Sequence, residues 1–194
     1  MRCLPGYNVA PATKVLLLSE RDKQLHLDTV LWSYAPGWWD KTPLINARVE
    51  TAATSRMFKP LWQHGRAIYF ADGWFEWKKE GDAKQPYFIH REDRQPIFMA
   101  AIGSTPFERS DEAEGFLIVT SAADKGLVDI HDRRPLVLSP EAAREWMRQD
   151  VSRREAEDII SDGTVPADKF IWHAVSCAVG DPRNQGPELI EADF

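Results

Sequence analysis

The sequence predicts an α+β fold in which a mostly antiparallel, barrel-like β-sheet carries a few flanking helices. Short segments rich in β-branched and aromatic residues, separated by turn residues, dominate the chain. Helix signals are few, and no helix follows each strand, which disfavours a doubly wound parallel sheet. The length of 194 residues suits one domain, so we treat residues 1–194 as a single unit.

Eight segments have the length and composition of strands. The predicted strands cover residues 14–19, 26–32, 66–72, 85–91, 96–104, 115–121, 135–139 and 170–176. In addition, the segment WFEWKKEGDAKQPYFIH resembles a hairpin with EGDAKQ as its turn.

Three segments predict helices. The first covers about residues 49–59 and stops at Pro60. Ser139 and Pro140 place an N-cap and an N1 proline ahead of the second. Ser152 and Glu155 form a capping box for the third.

Charge and composition limit the function classes. The 30 acidic and 24 basic residues give a net charge of −6, which argues against broad wrapping of nucleic acid. Residues 44–91 carry eight basic and five acidic residues, so a locally basic groove with a small footprint remains open beside a solvated charge mixture. Two cysteines and no apolar run of membrane-spanning length predict a cytoplasmic protein that neither enters a membrane nor has a disulfide framework. We also expect a monomer without metal or cofactor.

Adjacent tryptophans stand in a loop-like stretch, YAPGWWDKTP. Because neighbouring side chains diverge, Trp38 and Trp39 cannot both point into one core. The pair either plugs the end of a β-barrel or forms an aromatic platform on which a base or a sugar stacks.

Three polar clusters lie where predicted elements join. Asn46 and Arg48 precede the first helix, where Asn46 is an N-cap or part of a phosphate seat. Glu76 follows Trp74 on a strand; it faces solvent or enters a cavity that would raise its pKa. His131 lies in a charged loop between two strands, where it could exchange protons, and Arg133 could bind an anion. These spacings match no known metal site.

Six ordered motifs together resemble the SOS response-associated peptidase family, the abasic-site processing proteins. The motifs are YNVAPATKV at 7–15, YAPGWW at 34–39, LINARVET at 44–51, ADGWFEWK at 71–78, KQPYFI at 84–89 and DIHDRRPLVL at 129–138. The resemblance covers nearly the whole chain. It implies a barrel-like α+β fold that binds single-stranded or junction DNA carrying abasic sites.

The family resemblance also implies a chemistry. After removal of the initiator methionine, an N-terminal cysteine closes a thiazolidine ring on the aldehyde of the opened sugar. By motif, Glu76 is the acid and base, His131 relays a proton and Asn46 positions the cross-linked sugar. Four further residues would hold phosphates and unstacked bases. They are Trp38, Trp39, Arg48 and Arg133.

The start of the chain departs from the family pattern, Met-Cys-Gly-Arg. Here the chain begins Met-Arg-Cys, and we expect Arg2 to block methionine removal, so that Cys3 is a poor candidate for the nucleophile. Cys177 reads as a buried strand cysteine. Three interpretations stay open: a family enzyme with unusual processing or another start, a shortened and catalytically silent DNA-binding module, and a β-rich carbohydrate binder.

Overall fold

A computed structural model describes residues 6–107 and 114–193, and within them it confirms the α+β class. Cys3 lies outside these residues. The strands are β1 (Lys14–Arg21), β2 (Gln24–Leu31), β3 (Asn46–Arg48), β4 (Arg66–Ala71), β5 (Gly73–Glu80), β6 (Ala83–Arg91), β7 (Ile97–Gly103), β8 (Phe116–Ala122), β9 (Arg133–Pro135), β10 (Val137–Leu138) and β11 (Phe170–Ala174). The helices are α1 (Val49–Ala52), α2 (Lys59–His64), α3 (Pro140–Met147) and α4 (Arg153–Gly163).

The strands form a large sheet and a small sheet. The large sheet runs in the order β2-β1-β4-β7-β8-β3, with β9 paired to β8 and β10 to β7, whereas the small sheet runs β11-β6-β5. All pairs are antiparallel except β3 with β8. The large sheet is open, because its end strands β2 and β3 do not pair with each other. The expected sheet-rich architecture is therefore present without closure into a barrel.

The predicted strands and the hairpin recur in the structure with small differences. The segment at 135–139 is split between β9 and β10, and the turn between β5 and β6 is shorter than expected. Only Gly81 and Asp82 connect these two strands, and Gly81 has a φ of 62°. A left-handed backbone of this kind favours glycine, which explains the tight connection.

Three apolar cores lie between the layers of the fold. The helix-side core packs all four helices on one face of the large sheet and contains Trp62 and Trp146. The inter-sheet core lies between the two sheets and contains Trp74, Ile118 and Phe170. A third, smaller core lies under the C-terminal segment on the outer face of the small sheet.

The first predicted helix differs from expectation. Asn46 to Arg48 form a strand, and α1 is a single turn whose N-cap residue, Arg48, makes no side-chain cap. The interpretation of Asn46 as an N-cap is therefore wrong. Pro60 does not stop a helix but stands in the first turn of α2, where a missing N–H is tolerated. The caps at Ser139 and Ser152 are present as predicted.

Arg66 joins α2, α3 and the large sheet through a fully buried guanidinium. Its side chain is 1% exposed, and its group lies 5.8 Å from the ring of Trp146. Five backbone carbonyls accept its N–H groups, those of Trp62, Gln63, Trp146, Arg148 and Val151. Carbonyls at helix C-termini lack intrahelical partners, so one side chain satisfies the ends of two helices.

Replacing Arg66 with methionine should destabilise the fold on the order of 3 kcal/mol, because several buried carbonyls lose their donors. Urea unfolding at neutral pH measures the change. Arg148→Met is the matched control, since this arginine pairs with Glu145 and Asp150 at the surface. Equal midpoints for the two variants would contradict the role of Arg66.

Candidate functional site

Glu76 points into the gap between the two sheets. Its strand alternates, so Glu76 shares a face of β5 with Trp74, which is buried in the inter-sheet core against Phe170. The register places Tyr87 of β6 opposite Glu76, and Tyr87 also packs against this core. The solvent-facing alternative for Glu76 does not fit this placement, because the carboxyl lies at the margin of an apolar layer.

Burial raises the pKa of the Glu76 carboxyl to about 7. The positive charge of His131 opposes this increase, and the carboxylate of Asp132 adds to it. Such electrostatic coupling requires that the loop carrying His131 lies close to β5. A carboxyl with a pKa near neutrality can both donate and accept a proton at the pH of a cell.

His131 is positioned by the buried residue before it. Ile130 belongs to the inter-sheet core, whereas the side chain of His131 is exposed. The backbone N–H of Arg133 donates to His131 Nδ1 at 3.1 Å, and Asp132 Oδ1 lies 3.3 Å from the same nitrogen. Nδ1 thus has a donor when it is unprotonated and an acceptor when it is protonated. These contacts fix the orientation of the imidazole ring.

Asn46 and Arg48 lie on the face of the large sheet that looks toward the small sheet. Ala47 between them is buried in the helix-side core, so its two neighbours point the opposite way and are exposed. In the parallel pairing of β3 with β8, Asn46 stands opposite Ile118, a member of the inter-sheet core. Asn46, Arg48 and Glu76 therefore project from opposing sheets toward the same layer.

Arg133 is held by Glu50 and Thr120. Its Nη1 and Nη2 donate to Glu50 Oε1 and Oε2 at 2.7 and 3.0 Å. Nη2 also donates to the carbonyl of Thr120 at 2.6 Å. Arg48 stands opposite Thr120 in the pairing of β3 with β8, so the residue that accepts from Arg133 is also the register partner of Arg48. Hydrogen bonding to Arg133, with smaller contributions from the charges of Arg133 and Arg48, lowers the pKa of Glu50.

The tryptophan pair occupies an exposed loop. Trp38 is 68% exposed and meets Trp39 edge to face at 6.0 Å. Trp39 is partly buried; its Nε1 donates to the carbonyl of Thr42, and Lys41 lies over its ring. The two indoles therefore do not both plug the end of a β-barrel.

Two residues in this region were not predicted from the sequence. Glu50 and Thr120 hold Arg133, and the sequence signal for them was weak: an acidic residue at the start of a helix and a threonine on a strand.

The expectation that Cys177 is a buried strand cysteine is wrong. It is exposed at the start of a 3-10 helix, because β11 ends at Ala174.

Within residues 6–107 and 114–193, no cluster of three or more His, Cys, Asp or Glu is arranged to hold a metal. Over the same ranges, no helix has the length and apolarity that crossing a membrane requires.

The sequence is similar to a known protein family over most of its length. The family model for SOS response associated peptidase (SRAP) matches residues 2–182. The chain belongs to the SOS response associated peptidase family. It is 80% identical over 185 residues to the abasic site processing protein YedK of Escherichia coli. The aligned region covers 95% of this chain and 83% of that protein. Over 200 residues it is 29% identical to the abasic site processing protein YoqW of Bacillus subtilis, with 97% and 86% covered.

A solved structure of a similar protein shares this fold. The crystal structure of a phage-related protein from Bordetella bronchiseptica superposes with a TM-score of 0.78 at 37% identity, covering 90% of this chain and 84% of that one. The predicted family membership is therefore confirmed.

The raised pKa of Glu76 makes stability pH-dependent with a definite sign. The folded carboxyl keeps its proton above the ordinary value of 4.5, so stability falls as pH rises from 4.5 through about 7. Glu76→Gln removes this loss and should be more stable than the parent by about 2 kcal/mol near pH 8, yet nearly equal below about pH 4.5.

Thermal unfolding across this pH range measures the difference between the Glu76→Gln variant and the parent. Glu80→Gln is the control, because Glu80 lies on the same strand with an exposed side chain. Parallel pH profiles for Glu76→Gln and the parent would show that Glu76 is ionised in the fold at neutral pH.

Proposed function

We propose that this protein binds single-stranded DNA carrying abasic sites and processes them through a covalent cross-link to the opened sugar. The observation that carries the proposal is the position of the partly buried Glu76 at the gap between the sheets, where burial raises the pKa of its carboxyl to about 7 and the charge of His131 acts on it. Proton donors and acceptors near neutrality are what aldehyde and imine chemistry needs. The family and its abasic site processing members support the substrate class.

Cationic and aromatic groups near this gap fit a single strand. Arg48 is exposed on the face that looks toward the small sheet, and the guanidinium of Arg133 contacts Thr120, which stands opposite Arg48 in the sheet. We assign both guanidinium groups to phosphates and the exposed Trp38 with Trp39 to unstacked bases. A footprint of this kind is compatible with an acidic protein, because only a few phosphates need to be neutralised.

The opposite side of the molecule is unsuited to DNA. A groove of about 450 Å³ lies between α3 and α4 in the helix layer. Five carboxylates line it together with Arg148. They belong to Glu141, Glu145, Glu155, Asp158 and Asp162. Phosphates would be repelled there, which favours the inter-sheet side for DNA.

The proposed covalent step forms two bonds to the C1′ carbon of the opened sugar. The amine of an N-terminal cysteine adds to the aldehyde, and the carbinolamine loses its hydroxyl as water to give an imine. The cysteine sulfur then adds to the imine carbon, and the thiol proton ends on nitrogen. One water leaves and nothing is oxidised or reduced. Glu76 would protonate the departing hydroxyl, His131 would exchange a proton with the sugar oxygen, and Asn46 would hold the sugar.

A second candidate function is DNA binding without the covalent step. Arg48, Arg133 and Trp38, which we assign to DNA, lie in the fold itself, whereas the cross-link also needs a cysteine with a free α-amine. Where no such cysteine is present, the residues assigned to DNA remain. The protein would then be a DNA-binding module that does not form the cross-link.

Incubation with a single-stranded oligonucleotide containing one abasic site, followed by a denaturing gel, tests the proposal. A covalent band supports cross-linking, and binding without a band supports the module. Absence of binding overturns both candidates. If the band forms, Glu76→Gln should slow its appearance by about 100-fold with nearly unchanged noncovalent affinity. Glu80→Gln should cross-link at the parent rate, and equal rates for all three proteins would remove Glu76 from the chemistry.

Arg48→Ala should weaken DNA binding and flatten its salt dependence by about 0.7 in the slope of log K against log salt, because one phosphate contact is lost. Fluorescence anisotropy at four salt concentrations measures this slope. Arg153→Ala is the matched control, since Arg153 is exposed on α4 and pairs with Glu157. A slope unchanged by Arg48→Ala would place that residue outside the DNA interface.

A further inference from the structure

The side chain of Arg133 is already engaged by a carboxylate. Both outer nitrogens of the guanidinium donate to the two oxygens of Glu50, at 2.7 and 3.0 Å. Nη2 donates its other N–H to the carbonyl of Thr120. Nε is shielded from solvent and has no hydrogen-bond acceptor among the described residues. Arg133 therefore has little donor capacity left for an external anion.

A DNA phosphate and the Glu50 carboxylate would use the same part of Arg133. Each presents two oxygens to the paired outer N–H groups, which is the geometry of a bidentate arginine contact. The two anions cannot occupy that position together. If Arg133 contacts DNA, the phosphate displaces Glu50 or binds less favourably at the remaining N–H.

Displacement of Glu50 is feasible because the ion pair lies near the surface. The side chain of Glu50 is 49% exposed and that of Arg133 is 20% exposed. Exposed pairs contribute little to stability, and a released carboxylate can be solvated by water. Arg133 would still be oriented by Thr120, whose carbonyl and hydroxyl oxygens both accept from Nη2.

We propose that Glu50 is a built-in competitor of the DNA phosphodiester for Arg133. In the free protein it neutralises the guanidinium, and on binding a phosphate takes its place. The carboxylate lowers the affinity of the protein for any single strand. The bound fraction falls most for strands that bind weakly, such as undamaged DNA, because a tightly bound strand stays close to saturation. This inference rests on the proposed function, because it assumes that Arg133 lies in the DNA interface.

Glu50→Gln is the direct test, with a fluorescent oligothymidylate as the probe and anisotropy as the measurement. Removing the negative charge should raise affinity about threefold to fivefold at low salt. It should also steepen the slope against log salt by about 0.7, because binding to the parent must break the Glu50–Arg133 ion pair, which salt weakens, whereas the variant has no such pair to break. Glu157→Gln is the matched control, since it changes the net charge equally and also breaks an exposed pair, with Arg153 on α4.

A double-mutant cycle with Arg133→Gln distinguishes competition of Glu50 with a phosphate for Arg133 from a general effect of net charge on DNA affinity. Arg133→Gln should reduce affinity more in the Glu50→Gln background than in the parent, because the guanidinium is free only there. Glu50→Asp retains the charge with a shorter side chain and should bind DNA less tightly than Glu50→Gln. Thermal unfolding of each variant verifies folding, and Glu50→Ala replaces Glu50→Gln if the latter does not fold.

The outcomes distinguish failure of the competitor role of Glu50 from failure of the proposed DNA binding. If the parent binds the strand and Glu50→Gln binds equally or more weakly, the competitor role is overturned and Glu50 instead positions Arg133. An effect of Glu157→Gln as large as that of Glu50→Gln also overturns it, since net charge alone would then explain the gain. If neither the parent nor Glu50→Gln binds at low salt, the DNA-binding function itself fails, and the competitor role fails with it.

Discussion

Packing between the two sheets is the constraint on which the candidate site depends. The sheets meet through apolar faces that include Trp74, Ile118 and Phe170. Because strand side chains alternate, a polar residue two positions from such an anchor points into the same layer and can reach water only at its margin. Glu76 is in this position relative to Trp74, and partial burial gives it the pKa that acid and base chemistry requires.

Buried apolar neighbours orient the other polar residues of the site as well. Ile130 is buried between the sheets and leaves His131 exposed immediately after it. Ala47 is buried on the helix side, and so directs Asn46 and Arg48 to the other face. Each polar residue thus derives its orientation from an apolar neighbour, and loss of that neighbour would reorient the polar side chain.

The fully buried Arg66 and the partly buried Arg133 perform different tasks in this protein. Arg66 donates every side-chain N–H to a backbone carbonyl and connects the helix layer to the large sheet. Arg133 shares its N–H groups between a strand carbonyl and a displaceable carboxylate. Both side chains are fixed, but only the second has a partner that an external anion can replace. Charge counts along a sequence cannot distinguish the two, because the difference lies in burial.

The sequence by itself determined the fold class, most strand positions, the caps of α3 and α4 and the family, because these depend on local patterns and on ordered motifs. It did not determine that residues 46–48 form a parallel strand against β8, since that pairing joins segments about 70 residues apart in the chain. Only the tertiary structure decided whether Glu76 is buried and which anion holds Arg133. Desolvation and ion pairing are set by residues distant in sequence, and they leave no local signature.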